Sequence, residues 1–86
     1  DIALVVAGDV SARDVAASIE RGAGELLESL SLFDVYEGDQ VPDGHKSVAF
    51  ALRFRAPDRT LSAEELAGIR ESIVQSTSAD VGARLR

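Results

Sequence analysis

The chain has 86 residues, enough for one domain, since independent cores usually need on the order of 100 residues each. With 45% hydrophobic and 28% charged residues it has the composition of a folded globular domain, and the absence of cysteine removes disulfides, thiolate nucleophiles and cysteine-held zinc or iron–sulfur sites together. A single histidine, His45, leaves almost nothing from which to build a multi-histidine metal centre or a histidine-paired nucleophile, and the formal charge of −6 argues at first sight against a nucleic-acid partner.

No apolar run approaches the ~20 residues that a membrane helix needs, and the start has neither a basic nor a signal-type apolar segment. A cytoplasmic location away from membranes is therefore expected. Beginning at Asp1 and entering a strand-like run at once, residues 1–86 are expected to be a single domain from a longer chain.

Ile2 to Val6 is a short apolar run ended by Ala7-Gly8-Asp9, which suits a strand covered on both faces and central in its sheet. Ser11 is a good N-cap with Asp14 three residues on, and Ala12, Val15, Ala16, Ile19, Ala23 and Leu26 recur at helical spacing, so a helix is expected over Ala12 to Glu28. Gly22 and Gly24 inside it each cost about 1 kcal/mol relative to alanine, which points to close packing against a neighbour.

Leu30 to Glu37 and Ser47 to Arg55 alternate with period two around Gly38-Asp39-Gln40-Val41-Pro42-Asp43-Gly44, a cluster of turn formers, and form a hairpin with a long tip. Pro57-Asp58 breaks the pattern. Ser62 and Glu65 then make a capping box, with Leu61 and Leu66 placed as a hydrophobic staple. Leu66, Ile69, Ile73 and Val74 supply the buried stripe of a helix expected to reach about Thr77, and Ala83 to Arg86 reads as a last strand.

This β-α-β-β-α-β order predicts an α+β, ferredoxin-like fold in which both helices cover one face of a four-stranded antiparallel sheet and the other face stays open. Alternation then assigns the faces. Val48, Phe50, Leu52 and Phe54 belong under the helices, so Ser47, Ala49, Ala51, Arg53 and Arg55 point the other way. In the second strand Phe33 and Val35 are the expected core pair, which turns Leu30, Leu32, Asp34 and Tyr36 outward; in the last, Ala83 and Leu85 go in and Arg84 and Arg86 out.

The open face thus gathers one ring, Tyr36, one carboxylate, Asp34, one hydroxyl, Ser47, and the arginines Arg53, Arg55, Arg84 and Arg86 over a floor of alanines. Acids are expected on the helices, at Asp14, Glu20, Glu25, Glu28, Glu64, Glu65 and Glu71, so the open face is expected to be locally positive and the acidic total does not veto RNA. Such a surface suits unpaired bases: the ring takes a base face, the carboxylate accepts from an amino edge, and arginines take phosphates. The plainer reading makes Tyr36 an amphipathic cover on a solvated sheet and Arg53 and Arg55 a solvated strand end. No catalytic residue, metal site or glycine-rich phosphate loop is recognisable; His45 fits a solvated turn.

Leu32-Phe33-Asp34-Val35-Tyr36, Gly38, Pro42-Asp43-Gly44-His45-Lys46-Ser47, Arg59-Thr60-Leu61-Ser62 with Glu65, and Leu85-Arg86 together resemble the ferredoxin-fold anticodon-binding domain that ends the beta subunit of bacterial phenylalanyl-tRNA synthetase. The resemblance covers the whole chain. It implies that the open face receives the anticodon stem-loop of phenylalanine tRNA, with Tyr36 stacking on a base, Asp34 bonding a guanine edge, Ser47 adding a polar contact, and Arg86 taking phosphate or a base edge; strand alternation adds Arg84 and Arg53 on the same face as further RNA-binding candidates. Two positions depart from the family pattern: Glu37 stands where many relatives are basic, and His45 where lysine is common. The implied parent is an ATP-dependent ligase of two alpha and two beta subunits whose ATP, magnesium and phenylalanine bind elsewhere, so this domain would carry no cofactor and no active site. The rival class is a small-molecule-sensing or dimerisation module of the same topology. An acylphosphatase-type enzyme is excluded, because Ala7 to Val10 has no arginine and the chain has no asparagine.

Overall fold

The computed structural model describes residues 1–86. Its elements run β1 (Ile2–Ala7), α1 (Ala12–Ala23), a 3-10 turn (Gly24–Leu26), β2 (Leu27–Tyr36), β3 (His45–Phe54), α2 (Ala63–Val81) and β4 (Arg84–Leu85). The four strands form one antiparallel sheet in the order β2-β3-β1-β4, the ferredoxin-like arrangement, with β1 in the interior as its apolar run requires.

One side of the sheet carries the core. Ile2, Leu4 and Val6 from β1 and Val48 and Phe50 from β3 meet Val15, Ile19 and Ala23 of α1, Ile73 of α2 and Ala83. Burying each large apolar side chain stabilises the fold by roughly 1.5–3 kcal/mol, so this layer decides which way every strand faces.

Local signals set the helix ends. Ser11 caps α1 by accepting from the Asp14 amide at 3.0 Å. The helix stops at Ala23, short of the expected Glu28, because Gly24 takes φ 74°, a left-handed value that glycine adopts without strain, and the chain enters β2 at Leu27. The capping box of α2 is formed in full, and Glu65, bonded by the Ser62 amide and by Arg59, has its carboxyl held below the usual range. That helix continues past the expected Thr77, whose hydroxyl donates to the Ile73 carbonyl at 2.9 Å, and ends at Gly82 with φ 66°.

Gly22 is where the helices touch. A Cβ built there would lie 2.8 Å from Ser76 Cβ and 2.9 Å from Ile73 Cα, so the expected close packing is real at Gly22, whereas Gly24 serves as the helix stop. Beside this contact Asp80 accepts from Ser18 Oγ at 2.7 Å and Arg21 Nη2 at 2.8 Å, and Ser76 donates to the Ser18 carbonyl at 2.9 Å. Arg21 first, and then the Ser18 hydroxyl, hold the Asp80 carboxyl below its ordinary pKa.

The second strand departs from the expected facing. β2 pairs with β3 through two register shifts, one between Leu32 and Asp34, so alternation is interrupted by a β-bulge at Phe33. Leu30 and Leu32 lie opposite Leu52 and Phe50 and therefore face the helix side, not outward. Phe33 is 59% exposed and outside the core; Val35 lies on the helix side opposite Val48, but on this edge strand it remains 51% exposed. Leu85, opposite Leu4, faces the helix side as expected.

Gly22→Ala should destabilise the fold by roughly 1–3 kcal/mol, because backbone and Cβ atoms of α2 must yield. Gly68→Ala, on an exposed helix position with open space around it, should stabilise by about 0.5–1 kcal/mol. Urea denaturation of both variants checks the pair; equal effects would contradict the helix contact.

Candidate functional site

Strand pairing brings the expected site residues onto the face away from the helices. Tyr36 lies opposite Ser47, Ser47 opposite Val5, and Val5 opposite Arg84, which makes one continuous row across all four strands. The next row holds Asp34, Ala49 and Ala3, and the Arg86 amide donates to the Ala3 carbonyl at 3.1 Å. Asp34, Tyr36, Ser47, Arg84 and Arg86 are thereby gathered at one end of the open face.

Arg86 organises this end. Its backbone is held beside β1, yet its guanidinium carbon lies 4.9 Å from the centroid of the Tyr36 ring on β2, so the side chain reaches across the sheet. Nη2 donates to Gln40 Oε1 at 2.8 Å and Nη1 to Ser47 Oγ at 3.5 Å. The hydroxyl of Ser47 is on the open face, but the residue is buried, at 2% exposure, and the Arg86 guanidinium reaches over it. Spacing alone does not disclose this cover, because it depends on which strand lies beside which.

Tyr36 is half-buried and Asp34 exposed. Gly38, at φ 152°, packs against the ring: a Cβ there would stand 2.7 Å from the Tyr36 hydroxyl oxygen. The hairpin tip around it holds Glu37, Asp39 and Asp43, with Val41 buried beneath and the Gly44 carbonyl accepting from the Gly8 amide at 2.8 Å. His45 Nδ1 lies 3.0 Å from the Asp43 carbonyl oxygen, in keeping with a turn residue.

The charge of the face differs from expectation. Around Tyr36 the arginines Arg84 and Arg86 are matched by Asp34 and the tip carboxylates, and Lys46, opposite the core residue Val6, faces the helix side. Glu25 and Glu28 lie in the 3-10 turn and on β2, not on a helix. Arg53 sits six residues along β3 from Ser47, about 20 Å at the usual strand rise. It is on the same face as Tyr36 but apart from it, and Arg55 beyond it lies 3.9 Å from Glu28.

These features coincide with a family. Over residues 1–86 the chain matches the ferredoxin-fold anticodon binding domain. The chain belongs to that family. Along its whole length this domain is 55% identical to the phenylalanine–tRNA ligase beta subunit of Thermobifida fusca (strain YX), 54% to that of Streptomyces avermitilis and 51% to that of Mycolicibacterium paratuberculosis. It spans about 10% of the length of each of these curated relatives. No helix of the domain is long and apolar enough to cross a membrane.

Tyr36 is the only tyrosine and there is no tryptophan, so intrinsic emission reports on this site alone. Arg86→Ala should raise quenching of that emission by acrylamide while changing stability by no more than about 1 kcal/mol, the scale of an exposed cation–π contact. Unchanged quenching would contradict the cover.

Proposed function

We propose that the open face of this anticodon-binding domain receives the anticodon stem-loop of phenylalanine tRNA, as the RNA-recognition part of a phenylalanine–tRNA ligase beta subunit. The observation that carries this reading is the placement of Asp34, Tyr36 and Ser47 on one uncovered face with Arg84 and Arg86 beside them.

The energetics favour a base over the resident guanidinium. A base stacked on an aromatic ring is worth roughly 1–3 kcal/mol, against about 0.5–1 kcal/mol for an exposed cation–π contact. A base arriving at Tyr36 therefore displaces Arg86, which uncovers the Ser47 hydroxyl and frees the guanidinium for a phosphate or base edge. Asp34, an acceptor-only carboxylate when ionised, selects a base edge rich in donors, as guanine presents. Discrimination rests on Asp34 and affinity on Tyr36.

In this reading the domain holds no cofactor. ATP, magnesium and phenylalanine belong to a catalytic part elsewhere in a two-alpha, two-beta assembly in the cytoplasm, and the domain contributes to placing the tRNA. Against the sensing or dimerisation alternative, the family match over the whole chain favours RNA.

Titrating the chain with the anticodon stem-loop of phenylalanine tRNA should change Tyr36 emission, with affinity falling as salt rises. Tyr36→Ala, which removes the emission itself and is titrated by calorimetry alongside the wild-type chain, should weaken binding by roughly 5- to 150-fold, the equivalent of ~1–3 kcal/mol. Glu71→Ala, on the exposed surface of α2, should leave binding unchanged, and a comparable loss there would place the interface on the helices.

A further inference from the structure

The Tyr36 end of the sheet is poor in net positive charge, whereas a phosphate backbone needs cations in direct reach. Arg84 and Arg86 are its arginines, and Asp34, Glu37, Asp39 and Asp43 surround the same end. The opposite end of the same face differs. Arg53 is exposed and makes no ion pair, and Arg55 is 76% exposed, with Glu28 at the limit of contact and Glu25 lining the same surface depression. Between the two ends Ser31 lies opposite Ala51 and Ser29 opposite Arg53, both serines exposed, with the exposed ring of Phe33 at the bulge beside them.

Distance decides how the far cations act. Charges about 20 Å from the Tyr36 site are screened at physiological salt, where the Debye length is about 8 Å. Arg53 and Arg55 therefore do not raise the affinity of a single base at Tyr36 through their field. They act by touching a phosphate that lies over them, and only an RNA extending along β3 brings one there. Ala49 and Ala51 with Ser29 and Ser31 leave room for a backbone to approach β3.

We propose that Arg53 and Arg55, flanked by the hydroxyls of Ser29 and Ser31, form a second and sequence-independent contact for the RNA backbone, so that the domain grips a stem-loop at two points along β3. This deepens the RNA reading above and rests on it. The base end selects; the far end supplies most of the electrostatic affinity, and the stem, not the anticodon loop, reaches it.

Two RNAs separate the contacts: the anticodon stem-loop of phenylalanine tRNA, and a linear oligonucleotide of its loop sequence alone. The Arg53→Ala/Arg55→Ala variant, checked for folding by circular dichroism, should bind the stem-loop roughly tenfold more weakly at low salt and lose about 1.5 from the slope of log affinity against log salt, as the loss of two phosphate contacts and their released counterions requires. Its affinity for the linear loop should stay within about twofold of wild type. The Arg53→Lys/Arg55→Lys variant should keep most stem-loop binding, because a point charge suffices for phosphate. An unchanged stem-loop affinity and salt slope, or an equal loss for both RNAs, would overturn the second contact while Tyr36→Ala still impairs both. A wild-type chain that binds neither RNA would remove the RNA reading itself and this contact with it.

Discussion

Side-chain alternation along β3 is the constraint on which both core and site depend. Val48 and Phe50 are driven beneath the helices by burial, and that fixes Ser47, Ala49, Ala51 and Arg53 on the other side with no choice left. Because β3 pairs with β2 and β1 at once, its phase is imposed on both neighbours, and β1 passes it to β4. The row Tyr36, Ser47, Val5, Arg84 is the open-face image of the row Val35, Val48, Leu4, Leu85 on the helix side. A slip of one residue in β3 would bury Arg53 and expose Phe50, so hydrophobic burial holds the site in register.

Charge is arranged less simply than composition suggests. The net charge of −6 comes from acids spread over helices, the hairpin tip and β2, while the basic residues of the open face divide between its two ends. Neither end is a broad positive field. Recognition on such a surface works through specific contacts at short range, a ring, a carboxylate and individual guanidinium groups, instead of long-range attraction. The resident contact of Arg86 with Tyr36 and Gln40 fits that picture, since it keeps an arginine beside the ring at little energetic cost to displace.

Much of this was legible in the sequence, and each failure has a physical cause. The capping box of Ser62 and Glu65 and the phase of β3 follow from local pattern and are found as expected. Outward placement of Asp34 and Tyr36 was also legible, but Leu30 and Leu32 were misassigned, because a bulge inserts one residue at Phe33 and period two cannot reveal where alternation breaks. The ends of both helices were misjudged by a few residues. At Gly24 a left-handed glycine outweighed helical periodicity, and beyond Thr77 the helix ran on through Ser78, Ala79 and Asp80, which carry no apolar stripe. The Ser18, Ser76 and Asp80 network was missed altogether, although small residues at Ser18, Gly22 and Ser76 are the signal of a close helix pair. Burial of Ser47 under Arg86 links residues 39 positions apart, and only the strand order brings them together.

The most direct test of the open face as the RNA surface is a map of backbone amide chemical shifts in the 15N-labelled chain during titration with the anticodon stem-loop of phenylalanine tRNA. The amides of Asp34, Tyr36, Ser47, Arg84 and Arg86 should shift together and saturate at one ratio of RNA to protein, with those around Glu20 and Glu71 on the helices unmoved. Shifts centred on α1 and α2, with the sheet rows silent, would contradict the account.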